Sequence, residues 1–325
     1  MRLDAKDRKI LYELDYSARK PLSEIAGAVG LPKQSVSYRV KALEKNGVIR
    51  RYTVVVNSPL FGYFVYRIFL RFQNITSENE EELVKGILAH KNVVWAVSTS
   101  GRWDMQLIVL AKNNMHFGEI LISLKKQIGP NLKEYIVSLG RGGFHFGRKY
   151  LSENPEVKQA IFGFDVEQQK IDETDFGMLK LLAQDSSLSL RELAARLKLS
   201  PNGAKKRLEG LEKRGIIQFY RTWMDYEKLG RKFFKSVITL SDWSEKLQKS
   251  FISFCNEEPS IVYLVLCSGS SDMEIEAETL DETEFRALMV RFRNKFKDVV
   301  KDYEILNIYK EHKLIYFPFE KFEDI

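Results

Sequence analysis

The sequence predicts an α+β protein in which two winged helix-turn-helix domains alternate with two ferredoxin-like βαββαβ domains. Three observations support this prediction. The chain contains an internal repeat, and each copy begins with three short helical patterns followed by a β-rich segment. The rest of each copy alternates strand and helix patterns in the order βαββαβ. With 325 residues the chain is long enough for several domains.

The repeat is found by comparing the chain with itself at a shift of 168 residues, which places Leu31 on Leu199. Residues 4–52 then align with 172–220 without a gap, and 15 of the 49 positions are identical. The same shift aligns further glycines and aspartates in the second half of each copy. We therefore expect winged helix-turn-helix domains at 1–57 and 171–225, βαββαβ domains at 58–150 and 226–325, and a connector at 151–170.

Each copy is expected to begin with three helices. Asp4 and Asp7 occupy the positions of an N-cap and its third following residue, ahead of an apolar helical stripe. A second helix ends at Gly30. A third runs from about Lys33 to Lys45 with its apolar residues on one face. A tight turn between the last two helices describes a helix-turn-helix, and the segment VIRRYTVVV supplies a wing strand.

The rest of each copy changes from helical to mixed periodicity. In the first copy YFVYRIFLRF, VVWAVST, MQLIVLA and LKEYIVSL are typical of strands, whereas SENEEELVKGILAH and MHFGEILISLKKQI are typical of helices. The second copy follows the same order, from FFKSVITL to KDYEILNIY. This order is that of the ferredoxin-like split unit.

Motifs in both copies resemble the Lrp/AsnC family of transcription regulators. The resemblance rests on a winged helix-turn-helix followed by a G-x-x-D hairpin in a βαββαβ domain, called RAM in that family. The matching residues are Ser35, Arg39, Leu43, Glu44, Gly47, Ile49, Gly101 and Asp104, with Arg207, Leu211, Glu212, Gly215, Ile217, Gly269 and Asp272 in the second copy. The resemblance covers essentially the whole chain twice, and it implies a DNA-binding regulator without enzymatic activity. Family members usually carry one such unit, so the fusion is a departure.

The third helix of the first copy is the candidate reader of double-stranded DNA. Its polar side chains can donate to base edges in a major groove, and wing arginines can meet phosphates. For any single residue, a solvated basic face is the alternative. Arg39 fits a phosphate contact and an internal salt bridge equally well. The candidates are Lys33, Gln34, Ser35, Ser37, Tyr38, Arg39, Lys41, Arg50 and Arg51.

The second copy offers a weaker surface of the same kind. Residues 1–57 hold 12 Lys and Arg against 6 Asp and Glu, whereas 169–225 hold 11 against 8. Glu209 replaces Lys41, and two glycines lie inside the second recognition helix. We call each winged helix-turn-helix domain a head. We therefore expect the first head, residues 1–57, to contribute more to DNA binding than the second. The candidates in the second copy are Asn202, Lys205, Lys206 and Arg207.

The G-x-x-D hairpins can be interpreted in two ways, as a structural turn or as part of a binding site. Gly101 can supply the positive φ of a tight turn, and Asp104 can stabilise that turn. The resemblance implies instead that this region binds an amino acid or a related small effector and that βαββαβ domains pair. The candidate effector-binding residues are Gly101, Arg102, Trp103, Asp104, Gly269 and Asp272. Pairing of the two fused units would give an intramolecular pseudo-dimer, with further homo-oligomers left open.

Composition limits the other classes of function. The net charge of +7 is compatible with an anionic partner. No apolar run spans a membrane and no export signal is present, so we expect a cytoplasmic protein without a membrane partner. The histidines and cysteines show no ligand spacing, so no metal or cofactor is expected. Two alternatives stay open: an enzyme like the sirohaem decarboxylases, which resemble Lrp-type units, and a metabolite-binding protein whose heads do not bind DNA.

Overall fold

The computed structural model describes residues 3–156, 159–164 and 167–325. Its N-terminal head consists of three helices and one strand. Asp4 caps the first helix and exchanges hydrogen bonds with Asp7, as the sequence predicts. The second helix ends at Gly30, whose φ of 66° lies in the left-handed region. The elements are α1 (Ala5–Tyr16), α2 (Leu22–Val29), α3 (Lys33–Lys45) and β1 (Ile49–Val56).

The first βαββαβ unit follows directly. Alternate residues of its strands, such as Ile68 and Leu107, pack under the two helices, which contribute Ile87 and Leu124 to the same apolar cluster. The other face of the strands is turned away from these helices. The elements are β2 (Phe64–Phe72), α4 (Ser77–Ala89), β3 (Val93–Ser100), β4 (Met105–Ala111), α5 (Asn114–Ile128) and β5 (Leu132–His145).

The second copy repeats this architecture. In the expected connector, residues 157–158 and 165–166 lie outside the described residues, and β6 (Ala160–Gly163) pairs with β5. The second head contains α6 (Glu173–Gln184), α7 (Leu190–Arg196), α8 (Pro201–Lys213) and β7 (Ile217–Met224). The second βαββαβ unit contains β8 (Lys232–Leu240), α9 (Glu245–Glu257), β9 (Ile261–Gly269), β10 (Met273–Thr279), α10 (Glu282–Lys295) and β11 (Val300–Leu314).

The two βαββαβ units share one closed sheet. Within the units the strand orders are β5-β2-β4-β3 and β11-β8-β10-β9. Antiparallel pairing of β3 with β11 and of β5 with β9 joins the units at both edges. Because β5 also pairs with β2, the eight strands form a ring, which we call the barrel. The helices cover its outside, and neither unit keeps a free edge of the kind that promotes aggregation.

The two heads are joined by a ribbon, defined as the antiparallel pair of β1 and β7. Each strand of the ribbon packs into the core of the other head. Val54 belongs to the apolar cluster of the second head, and Met224 to that of the first. Thr53 Oγ1 donates to the carbonyl of Ala183 at 3.1 Å, and Thr222 Oγ1 to that of Leu14 at 2.7 Å. Separating the heads would therefore expose both cores.

The inside of the barrel is crossed by a layer of buried charges. Arg67 donates two hydrogen bonds to Glu274, at 2.7 and 2.5 Å. Lys235 lies 2.7 Å from Glu274 and 2.9 Å from Glu276. Two cations and two carboxylates balance here, which is how buried charges are tolerated. Among the described residues no helix is long and apolar enough to cross a lipid bilayer.

Candidate nucleic-acid interface

Helix α3 presents a polar face to solvent because its apolar residues are spaced along one side. Val36, Val40 and Leu43 are buried against α1 and α2. The opposite side carries Lys33, Gln34, Tyr38 and Lys41, all exposed, with Ser35 and Ser37 partly exposed. Tyr38 is 76% exposed, which is unusual for a large ring in a folded head. The structure thus places these candidates together on one accessible surface.

Arg39 lies at the edge of this surface but has partners inside the head. Its Nη1 lies 2.8 Å from Asp4 and 2.7 Å from Asp7, the residues of the α1 cap. The hydrogen bond to Asp7 raises the pKa of the Arg39 guanidinium. Arg207 makes the same contacts with Asp172 and Asp175 in the second head. Of the two readings of Arg39, the structure therefore shows the internal ion pair.

The wing arginines are not free at the surface. Arg50 donates to Asp225 at 2.7 Å across the ribbon. Arg51 donates to the carbonyl of Leu314 and lies over the Trp223 ring, 5.3 Å from its centroid. Burial lowers the pKa of Arg51. The expectation that Arg51 meets phosphate is corrected accordingly, because pairing of β1 with β7 turns this side chain toward the barrel. Arg50 is exposed beside Asp225, and its contact with phosphate stays a prediction.

Helix α8 offers a smaller and less basic surface than α3. Asn202, Lys205 and Lys206 are exposed, while Ala204 and Leu208 are buried. Glu209 lies 3.7 Å from Lys205 and partly offsets its charge. Gly210 has open space where a Cβ would be. The second surface therefore presents fewer uncompensated cations than the first.

The first G-x-x-D hairpin is packed against the other unit. Gly101 has a φ of 133°, and a Cβ there would lie 2.8 Å from the carbonyl oxygen of Ile305 in β11. Trp103 is fully buried, and its Nε1 donates to Glu304 at 2.9 Å. Arg102 also donates to Glu304, at 2.6 Å, and this bond raises the pKa of the guanidinium. The hairpin thus contributes to the contact between the units.

The aspartates of the two hairpins have equivalent structural partners. Asp104 accepts a hydrogen bond from the backbone N–H of Phe72 at 2.6 Å, and Asp272 accepts one from that of Leu240 at 2.7 Å. Gly269, like Gly101, has a positive φ of 119°. These contacts agree with the turn reading of the motif. Effector binding at these residues stays a prediction.

The structure also reveals a site that the sequence analysis did not single out. A cavity of about 160 Å³ lies inside the barrel beneath the ribbon, and Arg221 and Tyr263 line it. Arg221 aligns with Thr53 in the first copy, so the repeat gives no signal for it. The alternation of Glu274, Glu276 and Glu278 with apolar residues in β10 was the available signal of a polar barrel interior.

Comparisons with known proteins agree with the geometry of the heads. A family model described as winged helix-turn-helix DNA-binding matches residues 3–50 and 171–218. The HTH-type transcriptional regulator LrpC of Bacillus subtilis (strain 168) is 32% identical over 117 residues, covering 35% of this chain and 80% of that protein. The chain belongs to the Lrp/AsnC family.

Other relatives show the same pattern of partial coverage. The HTH-type transcriptional regulator FL11 of Pyrococcus abyssi is 28% identical over 119 residues, covering 37% of this chain and 78% of that protein. A member of the Lrp/AsnC family of ordinary length thus corresponds to one copy, and this chain is a tandem duplication. The crystal structure of the siroheme decarboxylase NirDL matches 96% of both chains with a TM-score of 0.63 and 15% identity. At this identity the match shows a shared fold.

Proposed function

We propose that this protein is a sequence-specific transcription regulator that binds double-stranded DNA through α3 and, more weakly, through α8. The observation that supports this most is the exposed polar face of α3, which carries Lys33, Gln34, Tyr38 and Lys41 on a helix-turn-helix. Such a helix can enter a major groove with these side chains at base edges. The relatives named as HTH-type transcriptional regulators support the same function.

The two heads act in this proposal as one rigid pseudo-dimer. A separate dimer would need two chains to pair, whereas here the ribbon and the interlocked head cores join the copies within one chain. Two fixed heads would favour DNA with two half-sites at a fixed spacing. Because α3 and α8 differ in sequence and charge, the preferred half-sites should differ, so the operator should be only partly palindromic.

The proposal is tested by selecting bound fragments from the genome of the source organism and measuring their affinity at several salt concentrations. Phosphate contacts make the logarithm of the binding constant fall linearly with the logarithm of the salt concentration. Lys41→Glu should weaken binding about tenfold and flatten this dependence. Lys246→Glu, the same change at an exposed lysine of α9, is the control and should leave binding unchanged. Equal losses in both variants would contradict a specific role of α3.

The ranking of the heads has its own test. Lys205→Glu should weaken binding less than Lys41→Glu, because Glu209 already offsets Lys205. Titrations of the two variants at one salt concentration against the selected fragment give the comparison. Losses of equal size would show that the heads contribute equally.

A tetrapyrrole-binding enzyme is the second candidate, favoured by the whole-chain match to the siroheme decarboxylase NirDL. The size of the barrel cavity weighs against it. A cavity of about 150 Å³ holds a benzene molecule, and the barrel cavity measures about 160 Å³. A macrocycle of four pyrrole-type rings would therefore need the barrel to open further than it does in this structure. Titration with an iron uroporphyrin, followed by absorbance, should give no shift of the main band; a saturable shift would favour the enzyme.

A further inference from the structure

The barrel cavity is enclosed by both copies of the repeat. Its walls come from β2, β3, β4 and β5 of the first unit, from β6 of the connector, and from β8, β9, β10 and β11 of the second unit. Its roof is the ribbon, which contributes Val55 and Val56 from β1 and Phe219 and Arg221 from β7. Eight-stranded barrels are of the size that holds one small ligand. Neither unit alone could enclose this space.

Most of the cavity wall is apolar. Val65, Ile108, Phe233 and Val265 contribute side chains from four different strands. Ligand sites combine such walls with a small number of polar groups that orient the ligand. The volume of about 160 Å³ suits a branched chain of a few carbons or a single ring.

The wall also carries polar side chains, among them Asn57, Arg221 and Tyr263. Arg221 is only 7% exposed, and its Nη1 donates to Tyr316 Oη at 2.5 Å. Its guanidinium lies over the Tyr263 ring, 5.0 Å from the centroid. Among the described residues, Arg221 Nε, Tyr263 Oη and Asn57 Oδ1 are buried without a hydrogen-bond partner. Two unpaired donors and one unpaired acceptor thus belong to residues of one cavity.

Burial lowers the pKa of the Arg221 guanidinium, whereas nearby groups that include Glu311 raise it, so its charge is partly balanced without a direct ion pair. Within the described residues it forms no salt bridge, although two carboxylates also line the cavity. Glu311 instead accepts hydrogen bonds from the indoles of Trp95, at 2.7 Å, and Trp223. Glu276 lies 2.9 Å from Lys235. A buried guanidinium N–H without an acceptor is costly, and an oxygen of a bound carboxylate would accept from Arg221 Nε.

We propose that the barrel cavity binds a small monocarboxylate with a compact apolar body. The carboxylate lies against Arg221 Nε and Tyr263 Oη, and the apolar body packs against Val65, Ile108 and Phe233. Asn57 Oδ1 can accept from an ammonium group, so an acid with or without an α-amino group shares this recognition. The site lies under the ribbon and uses none of the G-x-x-D hairpin residues.

Occupation of this cavity would act on the heads, a step that rests on the proposed function. The ribbon is at once the roof of the cavity and the link between the two heads. A ligand held by Arg221 of β7 and packed under β1 therefore stabilises one arrangement of the ribbon. A ligand shifts the equilibrium between two arrangements of the ribbon only if it binds one arrangement more tightly than the other. DNA binding then changes if the two arrangements place α3 and α8 differently.

Calorimetric titration of the full-length protein tests the site directly. The probes are 4-methylpentanoate, L-leucine, which adds an α-amino group, and 4-methylpentanamide, which replaces the carboxylate by a neutral group. Saturable one-to-one binding of either acid, with the amide about 10- to 100-fold weaker, supports the proposal. The ratio between the two acids decides whether the ammonium group is recognised. Equal affinity for all three, or no binding by either acid, would overturn it.

Variants identify the residues that bind the acid. Arg221→Met should weaken binding about 10- to 100-fold, and Tyr263→Phe about 3- to 10-fold. Ile108→Phe fills the apolar part and should abolish binding without touching the cation. Lys246→Gln, at an exposed lysine of α9, is the control and should leave binding unchanged. Arg102→Gln tests the hairpin as the rival site. Loss of binding in Arg102→Gln with full binding in Arg221→Met and Ile108→Phe would move the ligand to the hairpin and refute the cavity site.

The effect on DNA is measured separately. With the selected fragment, saturating acid should change the affinity of the natural protein but not that of Arg221→Met. An unchanged affinity with proven acid binding would refute the coupling through the ribbon and leave the site standing. Acid binding by a protein that ignores all fragments at low salt would refute the proposed function instead. The two failures are therefore distinguishable.

Discussion

Replacing Arg148 by methionine tests how the first head is held on the barrel. Arg148 is 2% exposed and lies between Asp15 of α1 and Glu278 of β10. Its Nη1 donates to Asp15 at 2.6 Å, and its Nε and Nη2 donate to Glu278 at 2.9 and 2.8 Å. Burial lowers the pKa of this guanidinium, but the two carboxylates outweigh it and the pKa rises well above its ordinary value. Position 316, the repeat equivalent, is Tyr316, so this contact occurs in one copy only.

The magnitude follows from the burial of the groups involved. Arg148→Met removes three charge-assisted hydrogen bonds and leaves two buried carboxylates without their cation. Breaking a buried pair costs about 3–5 kcal/mol, so we expect a loss of about 4 kcal/mol in the free energy of unfolding. Adding Glu278→Gln removes one of the stranded charges and should recover part of this loss.

Urea denaturation followed by circular dichroism gives the free energy of unfolding of each variant. The control is Arg291→Met. Arg291 binds Glu258 with the same two-bond geometry, at 2.7 and 2.6 Å, but its side chain is 51% exposed. An exposed pair contributes about 0.2–1 kcal/mol. If Arg148→Met and Arg291→Met cost the same, burial is not the source of the stability, and the reasoning is wrong.

Three further predictions concern single positions. Gly101→Ala should lower the free energy of unfolding by about 1–3 kcal/mol, because Gly101 has a positive φ and lies close to the Ile305 carbonyl. Gly118→Ala, in the open middle of α5, should raise it by about 0.5–1 kcal/mol. Urea titrations that give both changes the same sign would contradict this. Burial lowers the pKa of Lys149 to about 8. Between pH 8 and 9.5 the unfolded chain therefore binds more protons at Lys149 than the folded protein does. The free energy of unfolding of the natural protein, relative to that of Lys149→Met, should rise with pH over this range. A difference between the two proteins that does not change with pH would exclude a lowered pKa. Glu209→Lys should strengthen DNA binding and steepen its salt dependence by about one unit of slope; unchanged titrations would mean that α8 does not contact DNA.

Much of each head could be read from the sequence because the signals are local. The Asp4 and Asp7 cap, the glycine at the end of α2 and the apolar face of α3 depend on residues within one or two helical turns. The exposed face of α3 follows from that face by helical geometry. The same local logic predicts the strands of the βαββαβ units, whose alternation places one side under the helices.

The repeat itself also carried tertiary information. Both copies keep the arginine and the aspartate of one internal ion pair, so Arg39 binds Asp4 in the first head and Arg207 binds Asp172 in the second. Equivalent positions of Asp104 and Asp272 make equivalent turn contacts. Residues that the copies share are thus mostly those that hold each copy together, although identity alone did not separate this role from DNA or effector contact.

The sequence by itself determined that two similar winged helix-turn-helix and βαββαβ units are joined in one chain, and which face of α3 is exposed. Only the tertiary structure decided that β5 and β11 close the two sheets into a barrel, that Arg51 turns inward, and that Arg221 faces a cavity. These features join residues far apart in the chain. Local periodicity fixes which side of a strand is apolar, whereas its pairing partner is set by burial and hydrogen bonding summed over the whole fold.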